Sequence, residues 1–349
     1  MSEQLISLFN TSIPIIQAPM AGVQDHSLAV SISNAGGLGS LPCATLSLDM
    51  LRSELLAINA KTSRPVNLNF FCHTPLKFDA ERELRWRTVL QPYFSDYHID
   101  SNDISNTQGF SPFNHATLDL LEEFEPKLIS FHFGLPRADL LARVKSWGTC
   151  ILSTANTVEE AQWLESKSVD GIIAQGLEAG GHRGMFLSDK LTNQLPTFEL
   201  LEKIIPHIST PVIAAGGIAN ANDISKALSL GAIAVQMGTT FLLCHETKTS
   251  PLHRHSITYN AIANTAITNV FTGRPARSII NKIVAEIGPM NSNVPAFPLA
   301  ISALTPLRMH AEKNGLDDFT PLWCGQNTSN CQNISAAELI TQLAEKLGC

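Results

Sequence analysis

The sequence lacks several features that mark common classes of protein. Charged residues make up only 16% of the 349 positions, and lysine and arginine never form a block. The formal net charge is −7, from 24 basic and 31 acidic residues. Because binding to nucleic acid or to an anionic membrane surface requires clustered positive charge, the sequence argues against both partners.

Cysteine is scarce and scattered. The seven cysteines form no C-x-x-C pair, which argues against a disulfide framework and against the usual spacing of a zinc site. The histidines show no ligand-like spacing with acids or cysteines, so we expect no metal. Residues 1–10 have neither a basic n-region nor a long apolar run. We therefore expect no signal peptide and a reducing, cytoplasmic location.

No apolar run has the character of a membrane span. Residues 227–244 carry no charge, but they contain serine, threonine, glutamine and glycine at six positions. A bilayer span is more uniformly apolar than this. The stretch instead predicts a buried strand that enters a glycine turn.

What the sequence does contain is a series of short apolar runs, within a composition that is 44% hydrophobic. Such runs are typical of parallel strands covered on both faces. There are eight, with helix-like stretches between most of them, and the glycine signature of an open dinucleotide-binding sheet is missing after the first. We predict a (β/α)₈ TIM barrel. The predicted strands are 13–18, 37–41, 66–71, 128–133, 150–153, 171–175, 211–215 and 232–237.

Two regions depart from the strand–helix repeat. Residues 72–126 are about twice as long as one repeat and include a charged helix over 79–89, so they predict an insertion after strand 3. Residues 241–349 predict a C-terminal helical lid over the barrel mouth. We therefore expect a barrel domain over 1–240 and a lid region over 241–349.

The predicted strand ends carry almost only neutral groups, although the active site of a TIM barrel lies there. Because carboxylates are absent, paired-acid and metal-dependent hydrolysis lack their parts. Gly216-Gly217 and Gly238-Thr239 follow strands 7 and 8, where barrels commonly bind a phosphate. Asn69, Gln175 and Gln236 lie at other strand ends. These carboxamides suit a neutral hydrogen-bonding ring attached to the phosphate, and FMN fits better than NAD.

The segment 175–184 is the densest in chemical groups. Gly180 and Gly181 precede His182, whose ordinary pKa near neutrality makes it the best candidate for a general base or a substrate-binding group. His132 either shares the barrel mouth or supports the core. Arg183 and Glu178 either pair with each other or face solvent. The two arginines of residues 273–277 either anchor the lid or help to hold an anion.

Several stretches together resemble the nitronate monooxygenases, formerly called 2-nitropropane dioxygenases. The resemblance covers about residues 13–280, and the combination of its glycine motifs is highly specific for flavin barrels. The resembling stretches are PIIQAPMAG (14–22), GGLGSL (36–41), VNLNF (66–70), HFG (132–134), DGIIAQGLEAGGHRG (170–184), PVIAAGGI (211–218), GAIAVQMGT (231–239) and residues 273–277.

The resemblance implies a TIM barrel that holds FMN non-covalently. His182 falls on the catalytic histidine of the family, and His132 falls on the histidine of the H-F-G segment. The implied FMN contacts come from Asn69, Gln175, Gly180, Gly217, Gln236, Met237, Gly238 and Thr239, with Ala18, Pro19 and Met20 near the ring.

The implied reaction is oxidation of alkyl nitronates, including propionate 3-nitronate, by O₂ to a carbonyl compound and nitrite. Phe297-Pro298 stands where family members often have Tyr-Pro, which puts the range of polar substrates in question. Two alternatives remain open: an NAD(P)H-dependent flavin reductase of a quinone or an enoyl-thioester, and a flavin-binding protein without turnover. The expected partners are a small nitronate and O₂, with the chain a monomer or a homodimer.

Overall fold

The computed structural model describes residues 8–75, 78–100, 104, 109–259 and 264–348. Its centre is an eight-stranded parallel sheet in which each strand pairs with the next strand of the sheet along the chain. All eight predicted strands are confirmed, with ends that shift by up to two residues. The strands are β1 (Ile15–Gln17), β2 (Gly39–Pro42), β3 (Val66–Phe71), β4 (Leu128–His132), β5 (Cys150–Ala155), β6 (Gly171–Gln175), β8 (Val212–Ala215) and β9 (Ala234–Met237).

The sheet closes into a barrel. β9 pairs with β1, and β1 meets the start of the second strand through a parallel bridge between Ile16 and Leu38. The lumen is filled by small and branched apolar side chains, so it is a packed core and not a pore. The lumen core comprises Phe9, Ile16, Leu38, Leu128, Leu152, Ile173, Ile213, Ala215 and Ala234.

Helices surround the barrel and bury one apolar face against the strands. Polar side chains cap their first turns: Thr157 accepts from the backbone N–H of Glu160, and Asn220 accepts from those of Asn222 and Asp223. The ring consists of α1 (His26–Asn34), α2 (Leu48–Lys61), α4 (His115–Glu122), α5 (Ala138–Ser146), α6 (Val158–Ser166), α7 (Thr197–Ile204), α8 (Ala221–Ser229) and α12 (Ala336–Leu347).

Two helices of the ring, α4 and α12, lie in the two sequence regions that depart from the strand–helix repeat. α4 packs against α2 and α5, so the insertion after β3 ends before His115. α12 packs between α8 and α1 and completes the ring, although its residues fall in the expected lid region. The expected division of the chain at residue 240 stays a prediction.

The insertion and the C-terminal part share a second hydrophobic core. The charged helix expected over 79–89 is present as α3 (Ala80–Asp96), which is capped by Asp79 and extends seven residues further than expected. It packs against α11 (Ile301–Lys313). We call α3 together with residues 264–325 the cover. The remaining elements outside the ring are β7 (Gly181–His182), α9 (Pro251–Tyr259), β10 (Thr265–Thr268), β11 (Ala276–Ile279), α10 (Lys282–Ile287) and α11 (Ile301–Lys313).

A small antiparallel sheet joins the cover to the barrel. β11 lies between β10 and β7, and Ala276 pairs with His182. The segment that carries His182 is therefore part of a strand whose partner comes from the cover. Within the described ranges, no helix has the length and apolar character that crossing a bilayer requires.

Candidate active site

A cavity of about 520 Å³ lies at the carboxyl ends of the barrel strands, beneath the cover. Its volume is in the range of small-molecule sites, about 300–1,000 Å³. Every residue predicted for catalysis or cofactor binding lines it. These residues are Ala18, Pro19, Met20, Asn69, His132, Gln175, Gly180, Gly181, His182, Gly216, Gly217, Gln236, Met237, Gly238 and Thr239.

One end of the cavity is built from two glycine turns on neighbouring strands. β8 pairs with β9, so Gly216-Gly217 and Gly238-Thr239 lie side by side. The backbone N–H groups of Gly217, Gly238 and Thr239 donate to no other group in the described part of the chain. Free backbone N–H groups of this kind form a concave site for an anion.

Glycine is required in the first of these turns. Gly216 has φ +116° and Gly217 has φ +66°, a backbone conformation that favours glycine. A Cβ atom on Gly216 would lie 2.8 Å from Thr197 Oγ1, and one on Gly217 would lie 3.0 Å from Glu178 Cβ. The turn therefore depends on glycine both for its backbone conformation and for its close approach to Thr197 and Glu178.

The same end is closed by residues that sequence reasoning missed. Gly325 donates its backbone N–H to Thr239 Oγ1 at 2.8 Å, and Asn327 Nδ2 donates to the carbonyl oxygen of Gly217 at 2.8 Å. Both residues belong to an irregular polar loop more than 80 positions away from their partners. No local pattern marks such a loop, so the sequence alone offered no signal for it.

The three predicted amide side chains differ in how they are held. Asn69 Nδ2 donates to Ser130 Oγ at 2.9 Å, which fixes its orientation. Gln175 accepts at Oε1 from Gly184 N and donates from Nε2 to the carbonyl oxygen of His182. Its amide group therefore forms hydrogen bonds that hold the 175–184 segment together. Gln236 Oε1 is buried and has no partner among the described residues. Because Gln236 lines the cavity, a ligand that donates a hydrogen bond there would satisfy this oxygen.

His182 lies against the cavity within an aromatic wall. Its Nε2 lies 2.9 Å from Thr272 Oγ1. Enclosure by protein, followed by the nearby His132, Arg274 and His73, lowers the pKa of His182 to about 3. The ring is therefore neutral at pH 7. Its aromatic neighbours, at centroid distances between 5.2 and 6.1 Å, are Phe71, Phe133, Phe297 and Trp323.

His132 uses both ring nitrogens on protein groups. Its Nε2 lies 3.1 Å from the carbonyl oxygen of His182, so this nitrogen must donate. Its Nδ1 lies 3.0 Å from Thr154 Oγ1 and accepts from that hydroxyl. Burial lowers the pKa of His132 to about 3. Although His132 lines the cavity, this geometry favours a role in holding the main chain at His182.

Three arginines hold the segment around His182. Arg183, Arg274 and Arg277 each donate to a backbone carbonyl of residues 175–185, and none forms an ion pair with a described residue. Of the two possibilities for residues 273–277, the structure favours anchoring. The acceptors are the carbonyl oxygens of Gln175, Met185 and Leu177, respectively.

Glu178 and Arg183 do not pair with each other. The carboxylate of Glu178 accepts from the backbone N–H and the hydroxyl of Thr197, at 2.9 and 2.8 Å. Arg183 is fully buried and donates from Nε to Gln194 Oε1. Burial lowers the pKa of Arg183 to about 9, so the guanidinium still carries its charge at neutral pH.

The residues at the two ends of the cavity fit a flavin mononucleotide. Free backbone N–H groups at the glycine turns match a phosphate, and the neutral amides of Asn69 and Gln236 match the polar edge of the ring. Glycine at positions 216 and 217 lets this turn approach Thr197 and Glu178 closely, while the backbone N–H of Gly217 stays free for the phosphate.

Comparison with known proteins identifies relatives along the whole chain. The family model described as nitronate monooxygenase matches residues 2–346. A nitronate monooxygenase from Paraburkholderia phytofirmans is 39% identical over 98% of this chain and 94% of its own length. One from Pseudomonas aeruginosa is 36% identical over 99% of both chains.

Two solved structures are also similar to this chain over almost its whole length. The nitroalkane oxidase from Streptomyces ansochromogenes is 34% identical, with a TM-score of 0.89 over 99% of this chain and 98% of its own. FabK from Thermotoga maritima has a TM-score of 0.75 over 100% of this chain and 96% of its own. Because FabK is only 23% identical to this chain, the similarity between the two concerns the fold alone.

Proposed function

The chain belongs to the nitronate monooxygenase family, flavin-dependent oxidoreductases that act on nitronates with O₂. From this premise we propose that it binds FMN and oxidises alkyl nitronates, such as propionate 3-nitronate, to a carbonyl compound and nitrite. The observation that carries the proposal is the single cavity in which a neutral His182 faces the same space as the free N–H groups of the glycine turns.

In this proposal the barrel holds the cofactor. Gly217, Gly238 and Thr239 donate backbone N–H groups to the phosphate. Asn69 and Gln236 satisfy the polar edge of the ring. When bound, FMN supplies the redox chemistry through which electrons pass from the nitronate to O₂.

His182 acts on the substrate as a neutral imidazole. A nitronate is already an anion, and a neutral ring can hold it by donating an N–H hydrogen bond. A neutral nitroalkane presents an acidic α-C–H bond, and the same ring can accept that proton. Since its lowered pKa makes His182 a weak base, we expect a nitronate to react faster than the nitroalkane. The lowered pKa of His182 argues against an imidazolium as the group that attracts the anion.

Attraction of an anionic substrate comes instead from the arginines near this segment. Arg274 lies near enough to add to burial in lowering the pKa of His182, and Arg183 follows His182 directly in the chain. Neither forms an ion pair with a described residue, and charges in a desolvated region are weakly screened. We therefore expect the site to favour a nitronate over the neutral nitroalkane.

The aromatic wall shapes the proposed substrate range. Phe71, Phe271 and Trp323 line the cavity, and Phe297 lies 5.4 Å from the ring of His182. None of these side chains carries an anion-binding group. The wall excludes water from the reacting atoms and favours nitronates with an apolar carbon chain.

An oxygen-electrode assay of the yellow holoprotein tests this proposal. We expect O₂ consumption and nitrite release with ethyl nitronate and with propionate 3-nitronate, and no dependence on NADH or NADPH. Anaerobic addition of NADPH provides the control. Rapid bleaching of the flavin by NADPH, without O₂ consumption on addition of a nitronate, would favour the reductase. Absence of any turnover would favour a flavin-binding protein.

A further inference from the structure

The two ring nitrogens of His182 have different surroundings. Nε2 is engaged by Thr272 Oγ1 at 2.9 Å. Nδ1 makes no hydrogen bond with any described residue, and it is not among the buried atoms without a partner. Since His182 lines the cavity, Nδ1 is the nitrogen that keeps surface open to a ligand.

We infer that Nδ1 of His182 is the nitrogen that meets the substrate, and that Thr272 is the positioning residue that holds the ring in this direction and stays hydrogen-bonded to it in either tautomer. The inference rests on the proposed function, because it concerns the contact between His182 and a nitronate or a nitroalkane. Thr272 belongs to the cover and lies 90 positions away in the chain, and it was not among the predicted site residues.

The main chain of His182 is held in place by neighbours on both sides. Its carbonyl oxygen accepts from His132 Nε2 at 3.1 Å and from Gln175 Nε2 at 3.0 Å. Its strand pairs with Ala276 of β11. The backbone is thereby fixed from both the barrel and the cover, and the contact with Thr272 then fixes the direction of the ring.

The hydroxyl of Thr272 can serve either tautomer. Its oxygen lies 3.4 Å from both the backbone N–H nitrogen and the carbonyl oxygen of Arg274, so it has a donor and an acceptor besides His182. When Thr272 donates to Nε2, the ring proton is on Nδ1. When Nε2 donates to Thr272, the hydroxyl hydrogen turns to the carbonyl of Arg274 and Nδ1 carries a lone pair.

Each tautomer matches one form of the substrate. With the proton on Nδ1, His182 donates a hydrogen bond to a nitronate oxygen. With a lone pair on Nδ1, His182 accepts the α-proton of a neutral nitroalkane: the C–H bond breaks, its electron pair stays on the substrate as the nitronate, and the proton bonds to Nδ1. No oxidant takes part in this step.

The first test compares Thr272→Val with Thr272→Ser in the FMN-loaded protein. Valine keeps the shape but has no hydroxyl, so kcat/KM for ethyl nitronate and for nitroethane should fall about 10-fold, the effect expected from losing one hydrogen bond in a site. Serine keeps the hydroxyl and should recover most of the loss. Thr149→Val, which removes a buried hydroxyl just before β5 that does not line the cavity, is the matched control and should leave kcat/KM unchanged.

Two results of this comparison would overturn the inference. One is wild-type kcat/KM in Thr272→Val with both substrates. The other is an equal loss in Thr272→Ser and Thr272→Val, which would assign the effect to packing of the methyl group. If the wild type turned over no nitronate at all, the proposed function would fail instead, so the two failures are distinguishable.

A second measurement needs no Thr272 variant. Ring ¹⁵N resonances of His182, assigned by their loss in His182→Asn, are recorded in the wild type with saturating nitrite, an oxyanion that resembles the nitronate head. We expect the proton on Nδ1 and an unprotonated Nε2. A proton on Nε2 with nitrite bound would contradict the assignment.

Discussion

The barrel and the cover enclose the same cavity but are built in different ways. Each barrel strand is a short apolar run with its own helix nearby in the chain. The core of the cover combines α3 of the insertion with side chains of residues 270–319, almost 200 positions further on. Its members include Trp86 and Phe94 from α3 and Leu304 and Leu307 from α11.

The barrel and the cover contribute different groups to the site. The barrel supplies the groups proposed to hold the cofactor, such as Gly217 and Gln236, at strand ends fixed by sheet register. The cover supplies the residues proposed to surround the substrate, including Thr272, Phe297 and Trp323, which contact His182. His182 belongs to both, because its strand leaves the barrel and pairs with β11.

The largest effect expected concerns the residue where barrel and cover meet. His182→Asn should lower kcat for ethyl nitronate about 100-fold or more, because the side chain that touches the reacting atoms is lost. Flavin content should remain at wild-type level, since the glycine turns are untouched. Steady-state kinetics and the absorbance ratio of flavin to protein measure the two quantities. An unaltered kcat would remove His182 from its role.

The next effect concerns the hydrophobic core of the cover, and it tests whether the cover unfolds before the barrel. Phe94 is fully buried in the cover, and Phe94→Ala should destabilise the protein by about 3–5 kcal/mol. Leu84→Ala, at a largely exposed position of the same helix, is the control and should cost little. We expect urea unfolding of Phe94→Ala to show KM rising before flavin is released. Loss of flavin and of activity at one urea concentration would mean that cover and barrel unfold together.

Acid should weaken the fold through the enclosed histidines beside and beneath the cover. Desolvation lowers the pKa of His132 and His182 to about 3 and that of His73 and His253 to about 4. The unfolded chain binds these protons near pH 6.5, so the stabilisation is complete above that pH and is lost as the pH falls toward 4. Each histidine contributes up to about 1.4 kcal/mol per pH unit.

Thermal unfolding between pH 7 and pH 4.5 measures this dependence. The slope of stability against pH should become shallower in His253→Gln, because one such group is removed. A slope that is the same in wild type and variant would show that His253 does not contribute.

The smallest effect concerns the range of substrates set by the cover. Phe297→Tyr places a hydroxyl near His182 and should raise kcat/KM for propionate 3-nitronate relative to butyl nitronate by about twofold to fivefold. The ratio between substrates is the quantity to measure, because it cancels changes in the amount of active enzyme. A ratio identical to that of the wild type would show that Phe297 does not face the substrate chain.

The sequence predicted the barrel side of the site better than the cover side, and the physical reason is locality. Gly216-Gly217 and Gly238-Thr239 follow their strands directly, so the strand pattern alone places them together. Thr272, Gly325 and Asn327 reach the cavity through contacts between segments about 90 positions apart or more. No periodicity records such contacts. His132 was found but its partners were not, since its bond to the carbonyl of His182 depends on how β7 folds back.

The central claim is that the turns after β8 and β9 bind the phosphate of FMN, and the comparison of FMN with riboflavin tests it most directly. Titration of the apoprotein should give a Kd for FMN at least about 100-fold lower than that for riboflavin, as charge-assisted hydrogen bonds to the phosphate predict. Gly217→Val should remove most of this difference. Gly148→Val, at a similar φ but away from the cavity, should retain it. Equal Kd values for FMN and riboflavin in the wild type would contradict the account.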